Sequence, residues 1–205
     1  MSEPLNDQPL NDEHFDVAIT HRSTEFTGKV WNIVSETFTY NDRPTTREFV
    51  DHTGAVAILA MDDEGRILTI QQYRHPIRSR DWEIPAGLLD IEGESTLLAA
   101  QRELAEEADL VAATWNLLLS ITTSPGGSNE HLLIYLARDL LPAAETFARE
   151  DEEADIVLRW IGLDEAVAAV LSGAVQNVGL SAAVLAAFAA RADGWASLRP
   201  AQSGV

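Results

Sequence analysis

Three glutamates stand within five residues of one another, in the run Arg102-Glu103-Leu104-Ala105-Glu106-Glu107. At 100° per residue, Glu103, Glu106 and Glu107 share one face of a helix, turned away from its apolar side. Like charges at i,i+3 and i,i+4 destabilise a helix by about 0.2–0.5 kcal/mol per pair, and this run accepts that cost twice. A solvated acidic surface would explain it, and so would a site for cations. Carboxylates held on a rigid face, in a chain with no Cys and no clustered His, select hard divalent ions such as Mg²⁺ or Mn²⁺. Arg102, four residues before Glu106, is placed to pair with that carboxylate or to orient its neighbours.

The elements that must position these groups follow from hydrophobic period. Leu97, Ala100, Leu104, Ala108 and Val111 recur at helical spacing, which predicts a helix over 94–108 with its apolar stripe opposite the acids. Ahead of it, the apolar runs 54–61 and 66–73 flank Asp62-Asp63-Glu64-Gly65 and predict a β-hairpin. A short extended piece, Trp82 to Gly87, follows and is ended by Pro85 and Gly87. Strands are expected at 115–122, 131–136 and 156–161, and Ala-rich helices at 163–172 and 177–190. This order predicts an α/β (α+β) domain, an α/β/α sandwich with a mixed β-sheet. Upstream, the alternating runs 15–21, 29–40 and 45–50, separated by Gly28 and Asn41-Asp42-Arg43-Pro44, predict an antiparallel β appendage. Such a piece is too small to stand alone. The expected division is a tail over 1–14, the appendage over 15–50, the main domain over 51–193 and a C-terminal tail over 194–205.

Gly87, Glu94, Arg102-Glu103, Leu104, Glu106-Glu107 and Leu110 together resemble the Nudix box, G-x5-E-x7-R-E-U-x-E-E-x-G-U with U a bulky aliphatic residue. The preceding Glu83-x-Pro85-Ala86-Gly87 resembles the ADP-ribose pyrophosphatase branch of that family. Two departures stand out: six residues rather than five separate Gly87 from Glu94, and Asp109 occupies the last Gly position. That position ends the helix with positive φ, which Asp tolerates.

The resemblance implies Glu103 and Glu107 as direct metal ligands together with the Ala86 carbonyl, with Glu106 and Glu94 ligating or positioning through water and Arg102 orienting the box. It implies a base on a loop before the last strand, where Glu152-Glu153-Ala154-Asp155-Ile156 matches; Glu152 aligns best, with Glu153 close behind. Arg74, in Gln72-Tyr73-Arg74, matches the arginine that meets the diphosphate. Leu88 beside the box, Glu130 after Ser124-Pro125-Gly126-Gly127, and the pair Arg47-Glu48 complete the implied substrate contacts. For the adenine-stacking aromatic Trp31 is the candidate, while Phe26, or a core role for Trp31, stays open. The five His show no metal-ligand spacing and receive no role.

Composition bounds the partners. With 33 Asp+Glu against 14 Lys+Arg, the net charge of −19 repels nucleic acid and anionic membrane surfaces. No helix-turn-helix or basic segment is left over to read DNA. The polar, acidic start is no secretory leader, and the longest apolar run, 178–190, is too short to span a bilayer. The lack of Cys fits a reducing cytoplasm. Taken with the resemblance, the expectation is a cytoplasmic homodimeric enzyme that hydrolyses ADP-ribose to AMP and ribose 5-phosphate with Mg²⁺ or Mn²⁺. Another nucleoside diphosphate-sugar is the alternative substrate, and a non-catalytic ADP-ribose sensor the alternative class.

Overall fold

The computed structural model describes residues 9–146 and 155–201 and divides the chain at Asp51/His52 into two compact units. The first is a three-stranded antiparallel meander of β1 (Ile19–Thr27), β2 (Asn32–Tyr40) and β3 (Arg43–Asp51). Its tight turn is set by Asn41 and Asp42, both with positive φ (50° and 60°) between the paired Tyr40 and Arg43. Two left-handed residues give the twist that joins neighbouring strands without splaying them. Arg22 ties the strands by donating to Glu36 at 2.5 Å and Asp51 at 2.7 Å. The first strand begins at Ile19, not at Phe15, and residues 9–18 carry no regular structure.

The second unit contains two sheets. One has the order β11-β8-β9-β4-β7, the other β10-β5-β6. Their strands are β4 (Ala55–Ala60), β5 (Arg66–Arg74), β6 (Ser79–Glu83), β7 (Ala86–Leu88), β8 (Leu110–Thr122), β9 (His131–Pro142), β10 (Val157–Gly162) and β11 (Arg199–Pro200). The β4–β9 pair is parallel and makes the larger sheet mixed. Alternation along β4 explains the layering. Val56, Ile58 and Ala60 pack with Leu104 and Ala108 of α1 (Thr96–Ala108), while Ala55, Ala57 and Leu59 pack with Ala183 and Val184 of α3 (Val178–Ala192). A strand buried on both faces reads as a continuous apolar run. Helix α2 (Leu163–Leu171) packs on α3.

The expected hairpin over 54–73 does not form as a paired ribbon. Only an isolated bridge, Met61 to Ile67, joins its arms; β4 then pairs with β9 and β7, and β5 with β10 and β6. The turn is where expected, but both arms have buried residues on both faces and each finds partners in a separate sheet. Val111 also leaves the expected stripe, because the helix ends at Ala108 and Val111 lies in β8, 41% exposed. The stretch expected as a C-terminal tail continues the domain: Trp195 and Leu198 pack on the core, and β11 pairs with β8.

Candidate active site

Helix α1 starts at the N-cap Ser95, whose Oγ accepts from the Leu98 N–H, and stops at Asp109, which adopts φ 54° and donates its N–H to the Ala105 carbonyl. The left-handed stop is the one the missing Gly required. The extra residue ahead of the box is absorbed by a turn in which Glu94 N–H donates to Ile91 O and Gly93 has φ 80°. Between these ends, the acidic face is not a solvated surface. It lies against β7: Glu107 is only 4% exposed and accepts from the Ala86 N–H at 2.9 Å. Gly87 allows this close approach, since a Cβ there would stand 1.9 Å from Glu103 Oε1.

Arg102 organises the remaining carboxylates. Its guanidinium donates twice to Glu94 (3.1 and 3.0 Å), to Glu103 (2.6 Å) and to Glu106 (3.0 Å). The hydrogen bond from Arg102 holds the Glu94 carboxyl below its ordinary value, overcoming the opposing effect of burial. The same contacts, the Glu94 hydrogen bond first, raise the Arg102 pKa still further above its ordinary value.

A cavity of about 360 Å³ opens over this face, lined by Glu103, Glu106, Glu107 and Arg102 from α1, Ala86, Gly87 and Leu88 from β7, Asp90, and Gln72 and Arg74 from β5. Seven of the expected site residues thus meet in one place: Ala86, Leu88, Arg74, Arg102, Glu103, Glu106 and Glu107. Glu94 adjoins them through Arg102. Arg74 is held by a bidentate pair with Glu83, at 2.7 Å for each bond, and Glu83 is buried. Both Glu83 and Gln72 received no role from the sequence, although they stand in motifs quoted for other residues. The signal for Gln72 was strand alternation, which puts it on the same face as Arg74.

Other expected residues lie elsewhere. Glu130 is not among the residues lining the cavity; in the loop just before β9 it accepts from Thr123 and faces His52 Nε2 at 3.8 Å. Trp31, Arg47 and Glu48 belong to the N-terminal unit. There Trp31 is 44% exposed, Arg47 stands opposite Glu36, and Glu48 accepts from Ser35. Glu152 and Glu153 lie outside the described residues. A larger cavity of about 730 Å³ is lined by Asp62, Asp139, Asp164, Arg138, Arg191 and Trp195 among others, with no box residue in it.

The donor set in the smaller cavity, carboxylates beside a strand backbone, consists of hard oxygen atoms and suits a hard divalent cation. Among the described residues, no group of three His, Asp or Glu side chains converges closely enough to hold an ion on side chains alone. Among the described residues no helix is long and apolar enough to cross a membrane.

The NUDIX domain model matches residues 51–179. The chain is 47% identical over 155 residues to an ADP-ribose pyrophosphatase of Mycobacterium tuberculosis, covering 76% of this chain and 74% of that protein. It is 36% identical to an ADP-ribose pyrophosphatase of Bacillus subtilis, covering 74% and 82%. A solved structure described as an ADP compounds hydrolase superposes with a TM-score of 0.73 over 90% of this chain and 99% of the other, at 18% identity, a likeness of fold.

Proposed function

The chain belongs to the NUDIX family, and from that premise we propose that it is an enzyme hydrolysing the diphosphate of ADP-ribose to AMP and ribose 5-phosphate. The observation that carries this reading is the single cavity lined by Glu103, Glu106 and Glu107, by the Ala86–Leu88 strand and by Arg74. The names of the two pyrophosphatase relatives point to the substrate.

Glu103, Glu107 and the Ala86 carbonyl would hold the cations, Mg²⁺ or Mn²⁺, with Glu106 alongside. When bound, such ions supply charge neutralisation at the diphosphate and make water a stronger acid. The protein does the rest. Arg102 spreads one positive charge over three carboxylates and fixes their rotamers. Glu83, buried and bidentate, fixes the direction of Arg74 toward the diphosphate. The proton of the attacking water goes to a carboxylate of the 145–155 segment, Glu152 or Glu153. Leu88 borders the substrate, Glu130 reads its ribose or adenine end, and Trp31, Arg47 and Glu48 contribute from the meander of a partner copy in a cytoplasmic homodimer. The functional division is the meander over 15–50 and a hydrolase domain that starts at 51 and, with β11 paired to β8, extends past 193.

Incubation with ADP-ribose and Mg²⁺, followed by separation of AMP and ribose 5-phosphate, tests the activity; ADP-glucose, GDP-mannose and NADH test the substrate. Glu103→Gln and Glu107→Gln should lose most of the rate while keeping the wild-type circular dichroism spectrum. Full activity in both variants would refute the metal assignment. Light scattering tests the dimer.

A further inference from the structure

Among the described residues, only two buried side-chain polar atoms have no hydrogen-bond partner, Gln72 Oε1 and Arg138 Nε. Gln72 is the one that lines the catalytic cavity, and the residue is 5% exposed. A buried acceptor without a donor costs stability, and an apolar side chain of the same shape would avoid that cost. Strand β5 continues an apolar series, Ile67, Leu68 and Ile70, into this position, so packing alone would favour Leu or Met.

The chemistry of the cavity suggests what the amide is for. Glu103, Glu106, Glu107 and Asp90 bring negative charge to the lining, while both cationic groups there are already shared with carboxylates, Arg74 with Glu83 and Arg102 with Glu94, Glu103 and Glu106. An anionic ligand entering such a place gains from any donor that brings no carboxylate with it. Gln72 Oε1 is buried, and the Nε2 of the same carboxamide is not among the buried atoms without a partner, so of the two ends it is the donor that is available to a ligand in the cavity that Gln72 lines. Gln72 and Arg74 alternate on one face of β5, opposite Asp81 and Ser79 of β6, so the two donors stand side by side along the strand.

We propose that Gln72 is a diphosphate-binding residue, donating from Nε2 to a phosphate oxygen next to Arg74. The inference deepens the proposed function and rests on its placing of a diphosphate in this cavity. The test compares wild type with Gln72→Met, which keeps length and removes both polar ends. Binding of methylenediphosphonate with Mg²⁺, measured by calorimetry, should weaken about tenfold, the loss of one charge-assisted hydrogen bond. The melting temperature without ligand should stay level or rise, and KM for ADP-ribose should increase more than kcat falls. Unchanged methylenediphosphonate binding would overturn the proposal, as would a lowered melting temperature with kcat and KM spoiled together. Wild type that binds methylenediphosphonate but leaves ADP-ribose intact would refute the proposed substrate, while the comparison of binding would still decide the role of Gln72.

Discussion

Replacing Gly87 by Ala separates folding from chemistry at this site. Gly87 does not lie in the left-handed region, so its backbone accepts a Cβ without strain. The obstacle is Glu103, whose Oε1 and Cδ would stand 1.9 and 2.0 Å from the new atom, where ordinary contact begins at 3.4 Å. The carboxylate must retreat by about 1.5 Å, the difference between those distances. The clash reaches back to Glu103 Cγ at 2.6 Å, so the whole side chain must rotate, and that rotation breaks the 2.6 Å bond to Arg102. One charge-assisted, partly exposed bond is worth about 1–2 kcal/mol, and about 2–4 °C of melting temperature per kcal/mol is expected for a domain this size. The cost to catalysis is larger, because a displacement of ~1 Å at a reacting centre can cost about 100-fold. Gly87→Ala should therefore remain folded, melt a few degrees lower, and lose about two orders of magnitude in kcat/KM for ADP-ribose at saturating Mg²⁺. Turnover within threefold of wild type would show that the position of Glu103 does not matter to the reaction.

Other perturbations probe the surrounding charges. Arg102→Ala removes the guanidinium shared by Glu94, Glu103 and Glu106, and should cost about 2 kcal/mol, with millimolar Mg²⁺ recovering part of the loss in melting temperature. Because Arg102 depresses the Glu94 pKa, that pair contributes stability fully above the ordinary value of 4.5 and loses it as pH falls through the lowered value. Thermal midpoints from pH 6 to pH 3 should accordingly fall more steeply in wild type than in Glu94→Gln. Glu83→Gln turns an acceptor of the bidentate pair into a donor facing Arg74, and steady-state kinetics should show KM raised about tenfold with a smaller change in kcat.

Much of the site was legible because its residues are local. The box glutamates, Arg102 and the stop at Asp109 lie within one helix, where a 3.6-residue period decides which groups share a face. Partner choice between strands is not local, and there the reading failed. The apolar arms around Asp62–Gly65 look the same whether they pair with each other or with separate strands, and nothing nearby in sequence announces β9 or β10. Glu83 was hidden for a related reason: its role appears only when β6 folds back beside β5 and brings it to Arg74. The burial of Glu107 depends likewise on β7, where its partner Ala86 lies 21 positions earlier in the chain.

The parting of β4 from β5, reversed between β6 and β7 across Ile84-Pro85, divides labour between two pieces of backbone. Gln72, Arg74 and Glu83 ride on one sheet, while Ala86, Gly87 and Leu88 ride on the other, tethered by two residues of which one is a proline with fixed φ and the other is buried. Selection can therefore alter what the first sheet grips without re-tuning what the second holds, so new substrates are accessible by drift on β5 and β6. An insertion at the tether has the opposite character. It would shift both sets of groups out of step at once, making Ile84-Pro85 a place where the lineage should tolerate substitution far better than a change of length.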